Sequence, residues 1–297
     1  MVHKNIFGIL FAALALSGAQ ACAGDTDSAV RPIDERRPLN ADGRVYVNNV
    51  SGTIEVSAWD KNEVYVTGEL GEGAEKLDIS GDAASLRIEV KMPKRSHDVE
   101  DTSLHLRVPA GARLDLEGVS ADVIVQGVRG ALNAQSVSGD VTLSVESAEV
   151  EVQTVSGELS LRAPRARNTR VSTVSGDVRV NGVRERLRVE TVSGDVRVSA
   201  EGISDAELKA VSGDFHIELG LGAAPRVVAE TMSGEIQLEL PSAPDALLSL
   251  HTFSGVLQSD FGPRVADDKK RYETTLGTGK GRIDLSSFSG DVILRKR

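Results

Sequence analysis

Val192-Ser193-Gly194-Asp195-Val196 decides how this chain folds, because versions of it return through most of the sequence. Aligned on their serines, the copies are Ser120-Ala121-Asp122, Ser138-Gly139-Asp140, Ser156-Gly157-Glu158, Ser175-Gly176-Asp177, Ser193-Gly194-Asp195, Ser212-Gly213-Asp214, Ser233-Gly234-Glu235, Ser254-Gly255-Val256 and Ser289-Gly290-Asp291. Successive serines are 18, 18, 19, 18, 19, 21, 21 and 35 residues apart. Spacing this regular marks repeating structural units.

Outward from each serine, apolar residues fall at even offsets. Six and four positions back stand Leu132 and Ala134, Val150 and Val152, Leu187 and Val189; three and five positions forward stand Val141 and Leu143, Leu159 and Leu161, Val196 and Val198. Period-two alternation is the strand signal, so each repeat holds two short strands. Two positions back sits a small side chain such as Thr154, Thr173 or Thr191, and one position back is most often valine, which breaks the alternation and reads as a core-facing corner residue. Glycine then turns the chain through a conformation that other residues resist. A unit this small cannot bury its own apolar face and must stack on its neighbours. The expectation is an all-β fold: a parallel β-solenoid with two-strand rungs of 18–21 residues and equivalent residues in ladders about 4.8 Å apart.

Composition agrees with a narrow aliphatic core, since aromatic residues make up only 3% of the 297 residues. The net charge of -10 argues against nucleic acid or an anionic membrane surface as partner.

Along the chain, residues 1–23 read as an export signal: Lys4 opens it, Ile6 to Leu16 is apolar but too short to span a bilayer, and Ala19-Gln20-Ala21 is a small-x-small cleavage site. Cys22 is the sole cysteine, so an internal disulfide is excluded. Its place just after the cleavage site leaves two readings open, an acylated lipoprotein anchor or an incidental thiol. Residues 24–40 are polar and read as a tether, residues 41–108 as an irregular N-terminal β cap, and residues 109–297 as the repeat array, with a polar excursion at 260–280. Arg295-Lys296-Arg297 reads as a charged guard on the terminal edge.

The residues Gly43-Arg44-Val45, Val50-Ser51-Gly52, Ile54-Glu55-Val56, Trp59-Asp60 and Val108-Pro109-Ala110-Gly111, followed by the train of Val-Ser-Gly-Asp turns, resemble the DUF4097 family of bacterial adhesin-like β-strand-repeat proteins, over roughly Leu39 to Arg297. The resemblance implies a β-solenoid of the cell envelope and supplies no catalytic motif. It also implies an association of some relatives with envelope-stress and antimicrobial-peptide responses.

The acidic column Asp122, Asp140, Glu158, Asp177, Asp195, Asp214 and Glu235 is the most prominent set of chemical groups. It reads as a turn-capping ladder; the alternative, a calcium ladder, falls short of the six to eight oxygens that calcium takes, with one carboxylate per rung and Val256 in the column. Arg179 and Arg197 read as solvated neighbours of that ladder. Pectate-lyase-like enzymes also use parallel β-helices, but here the outward column Gln135, Gln153, Ser172, Glu190, Lys209, Glu230 and His251 offers no aromatic platform, and His97, His105, His216 and His251 are scattered. The expected function is therefore a non-enzymatic, cofactor-free scaffold, exported to the periplasm or the outer-membrane-associated envelope, binding an envelope protein or glycan. An envelope-stress or antimicrobial-peptide sensor is the alternative, and a polysaccharide-active β-helix enzyme the remote one.

Overall fold

The computed structural model describes residues 31–93, 100–266 and 268–297, and within them every regular element is a β-strand. The export signal and Cys22 lie outside the described residues. Most strand pairs are parallel and in register by equivalent repeat position. One stack runs through Leu114, Leu132, Val150, Thr169 and Leu187, paired in turn. The other, after each corner, runs through Val123, Val141, Leu159, Val178, Val196, Phe215 and Ile236. The inward residues of both stacks form one continuous hydrophobic core. A β-solenoid follows directly, because each rung takes its edge hydrogen bonds from the rungs above and below.

Rung order in space differs from order in the chain at both ends of the body. The strand Arg44–Trp59 pairs on one side with Ser85–Lys91 and Thr102–Pro109 and on the other with Arg113–Gln126. It is a full rung inserted between residues that follow it by several tens of positions. The boundary expected near Val108 has no counterpart, since this rung joins both sides of it. At the other end Gly281–Ser289 lies between Phe215–Ser233 and Ala246–Ser254, and Val292–Lys296 lies between Ile236–Leu240 and Leu257–Ser259. Ser289 therefore stands between Ser233 and Ser254.

This arrangement corrects the reading of Arg295-Lys296-Arg297 as an edge guard. Those residues end an interior rung: the Arg297 amide donates to the Leu240 carbonyl at 2.9 Å, and its guanidinium reaches Glu218 at 3.0 Å. Antiparallel strands cover most of the outer edges instead. Lys76–Gly81 covers Ser85–Lys91, Glu63–Leu70 covers Thr102–Pro109, and Arg271–Leu276 covers Ala246–His251. That last strand lies within the expected 260–280 excursion, where Phe261 and Val265 are also buried. Reversing direction at an edge ends the parallel pattern and blunts further addition.

The tether reading is also corrected in part. Arg31–Pro38 is a strand, antiparallel to Glu63–Leu70, with Ile33 and Leu39 buried. A single buried isoleucine in eight residues leaves no periodic signal to read. Backbone pairing holds the strand, helped by the Arg36 guanidinium 3.9 Å over the Tyr65 ring.

The corners are tight. Gly194 has φ of 117°, and a side chain begun there would stand 2.3 Å from the Gly176 carbonyl oxygen one rung away. Gly202 shares a positive φ, 71°, but faces open space. Gly194→Ala should therefore destabilise the protein by well over about 1 kcal/mol in urea denaturation, and Gly202→Ala by distinctly less. Equal losses would show that backbone conformation, and not rung-to-rung contact, selects glycine at the corner.

Candidate functional site

Each residue of the Thr-Val-Ser-Gly-Asp corner has a separate task, and four of the five serve contacts within the solenoid. The threonine points inward and clamps its own corner: Thr154, Thr173 and Thr191 donate to the carbonyls of Ser156, Ser175 and Ser193 at 3.1, 3.2 and 3.1 Å. The serine reaches back one rung, so that Ser138, Ser156 and Ser175 donate to the carbonyls of Val119, Val137 and Val155, each at 3.3 Å. Glycine permits the close approach.

The acidic residue faces the next rung. Oδ1 of Asp122 accepts the Asp140 amide at 2.9 Å, Asp140 accepts from Glu158 at 2.8 Å, Asp177 from Asp195 at 3.1 Å, Asp195 from Asp214 at 3.2 Å, and Asp214 from Glu235 at 2.8 Å. Asp291 likewise accepts the Val256 amide at 2.8 Å. Val256 stands on the outermost rung of the column, where a carboxylate would have no further amide to receive. The sequence's calcium alternative meets the geometry here: among the described residues, no three or more His, Cys, Asp or Glu side chains are grouped to hold a metal ion. Arg197 lies 4.0 Å from Asp177 and 3.5 Å from Asp195, and Arg179 pairs with Glu158. His105 and His216 each sit beside a single glutamate, Glu55 at 2.9 Å and Glu218 at 3.8 Å, far from one another in the chain.

The fifth residue corrects the sequence reading. Val192 does not face the core; it is 48% exposed. The same holds in the eight rungs stacked with it from Val119 to Phe253, giving one outward column in spatial order Val119, Val137, Val155, Val174, Val192, Val211, Met232, Phe288 and Phe253, with exposures from 44% at Val119 to 65% at Phe253. The last two rings stack with centroids 4.8 Å apart. The signal was present in the offsets. If positions six, four and two before the serine point inward, the position one before it points out.

Beside this ridge runs a groove. Over one stretch Val119, Val137, Val155 and Val174 form one wall, Gln135, Gln153 and Ser172 the other, with Ser136, Thr154 and Thr173 as floor, enclosing about 490 Å³. Farther along, Met232 and Phe288 face Lys209, Glu230 and His251 across about 330 Å³. The outward column that offered no sugar platform is thus the second wall of an apolar-sided groove. On the neighbouring strand face Glu207 is held by Lys209 at 2.7 Å and by Arg188 at 3.1 Å, which together lower its pKa to about 2. Ionised Glu207 stabilises the fold above its ordinary value of 4.5, and that contribution drains away as the pH falls toward 2.

Two substitutions separate the acidic residues by role. Asp214→Ala should strip the Glu235 amide of its acceptor and cost about 0.5–1.5 kcal/mol in chemical denaturation. Glu158→Ala, whose carboxylate receives no amide from the next rung among the described hydrogen bonds, should cost less, and EDTA should leave the melting temperature of the unsubstituted protein unchanged.

Among solved structures, a "putative adhesin" from Parabacteroides distasonis is 11% identical, with 91% of this chain and 98% of that one covered at a TM-score of 0.44. A "putative lipid binding protein" from the same organism is 15% identical, covering 90% and 96% at 0.44. A "putative adhesin" from Bacteroides fragilis is 10% identical, covering 91% and 99% at 0.33. No curated protein matches the chain. The model of one family, Toastrack DUF4097, matches residues 43–295, a span that takes in the inserted rungs at both ends and every corner described above. The chain belongs to the Toastrack DUF4097 family.

Proposed function

We propose that this protein is a non-enzymatic β-solenoid scaffold of the cell envelope, adhesin-like in action, whose working surface is the outward apolar column. The observation that carries the reading is the column itself: nine large apolar side chains on consecutive rungs, each at least 44% exposed. Soluble monomers rarely expose contiguous apolar patches beyond a few hundred Å², and larger ones with polar rims mark interaction sites. The rim here is polar on both sides, with the Asp140 and Asp195 column on one flank and Gln135 and Gln153 on the other.

The acidic column, Asp140, Glu158, Asp177, Asp195, Asp214 and Glu235, is assigned as a structural turn ladder. Its aspartates are engaged by backbone amides and are poorly disposed for catalysis or metal binding. Export follows from the reading of residues 1–23, with Cys22 as the membrane anchor if acylated. The mass of the first peptide of the exported chain tells an acylated Cys22 from a free thiol.

Deleting the gene should weaken attachment of the cells to surfaces, and the unsubstituted gene should restore it. A gene carrying Val155→Glu and Val192→Glu should fail to restore it although the protein is exported at normal level. Full restoration by that variant overturns the column as the working surface; depolymerisation of an acidic polysaccharide by the purified protein overturns the non-enzymatic reading.

A further inference from the structure

The ridge and groove also limit what can occupy them. Both repeat once per rung, about 4.8 Å. An α-helix laid along them repeats once per turn, about 5.4 Å. The mismatch of about 0.6 Å per step accumulates to a whole rung over eight steps, so a helix meets the valines in register only locally. A second β-solenoid has the same rise and stays in register along the full column.

We propose that a second copy of this chain docks on the column, the two solenoids lying side by side and parallel. The ridge of each fills the groove of the other. The inference rests on the reading of the column as an interaction surface and names its partner.

Two arrangements with two-fold symmetry are available, and the geometry favours one. A two-fold axis parallel to the column carries the valine ridge of one copy over the groove of the other, whose floor is Ser136, Thr154 and Thr173. An axis across the column sets ridge on ridge and leaves both grooves empty. Electrostatics points the same way. The parallel arrangement places the aspartate column of each copy opposite the column Gln135, Gln153, Ser172, Glu190, Lys209, Glu230 and His251, whose two carboxylates stand among donors and so repel the aspartates less than a second aspartate column would. The crosswise arrangement lays aspartates against aspartates, and like charges set face to face are unfavourable.

The size is adequate as well. The nine ridge residues with one flanking column on each side amount to between about 20 and 30 residues, the number that a stable interface of standard size contributes per partner. The pattern matches such an interface, with an apolar centre that includes Met232, Phe253 and Phe288 and a polar rim. Self-complementary packing of one patch on itself is what two-fold dimers use.

Light scattering on the exported full chain, across a dilution series, should give twice the mass of one chain. Val155→Glu with Val174→Glu should give the mass of one chain with an unchanged far-ultraviolet circular-dichroism spectrum, since both residues face solvent in the single chain. In a Cys22→Ser background, Val137→Cys should form a disulfide-linked dimer on mild oxidation, because the parallel two-fold sets each rung opposite its own copy. A mass of one chain at every concentration overturns the proposal. So does a dimer that survives the glutamate pair, or a monomer that binds phosphatidylglycerol vesicles or a basic amphipathic peptide through the same valines. If attachment is lost with the glutamate pair while the unsubstituted chain is monomeric, the scaffold reading stands and the dimer falls. If the dimer forms and attachment ignores the substitutions, the dimer stands and the scaffold reading falls.

Discussion

Backbone meets backbone at every Ser-Gly corner, and the rest of the structure depends on that contact. A side chain begun at Gly157, Gly176, Gly194 or Gly213 would stand 2.1–2.3 Å from a carbonyl oxygen of the rung before it. Because the corners touch, the rungs are locked in register. Because they are in register, like residues stack on like: threonines under the corner, aspartates on the next amide, valines on the outside. The hydrogen bonds of Thr, Ser and Asp each satisfy a polar group that the tight corner would otherwise leave without a partner. One steric condition thus yields both the fold and the straight apolar ridge.

The repeat made the architecture readable from the sequence, since offsets of six, four and two before the serine and three and five after it recur in almost every copy. The order of the rungs was not readable. Ile283 and Leu285 carry the same inward pattern whether the rung stacks at the end or one place inside it. Only tertiary pairing decides, and the local pattern holds no information about it. Strand Arg31–Pro38 was hidden for the opposite reason, having one buried isoleucine where a period needs several. The outward valine was legible and was misread, because a β-branched apolar residue at a corner suggests core, while strict alternation from Thr191 places Val192 outside. The acidic column drew attention as chemistry. In the structure its aspartates face amides of the next rung.

Both ends of the body are built alike. An early rung, Arg44–Trp59, and a late one, Gly281 to Lys296, are each sandwiched one place inside the stack, and antiparallel strands lie beyond them. The outermost rungs therefore rest on neighbours drawn from distant parts of the chain. This costs loop-closure entropy, which grows only slowly with length, and it gives both of these rungs two partners each. Detaching either rung must break pairing on two sides.

The interleaved ends bear on how such a chain can lengthen over evolutionary time. A duplicated unit added beyond residue 297 would have to displace Arg271–Leu276 or part Val292–Lys296 from the strands on either side. A unit duplicated between Ser120 and Ser233 meets the same corner above and below and needs only to keep the glycine. Growth of this body is therefore interior, and its ridge can be extended rung by rung while both closures are inherited unchanged.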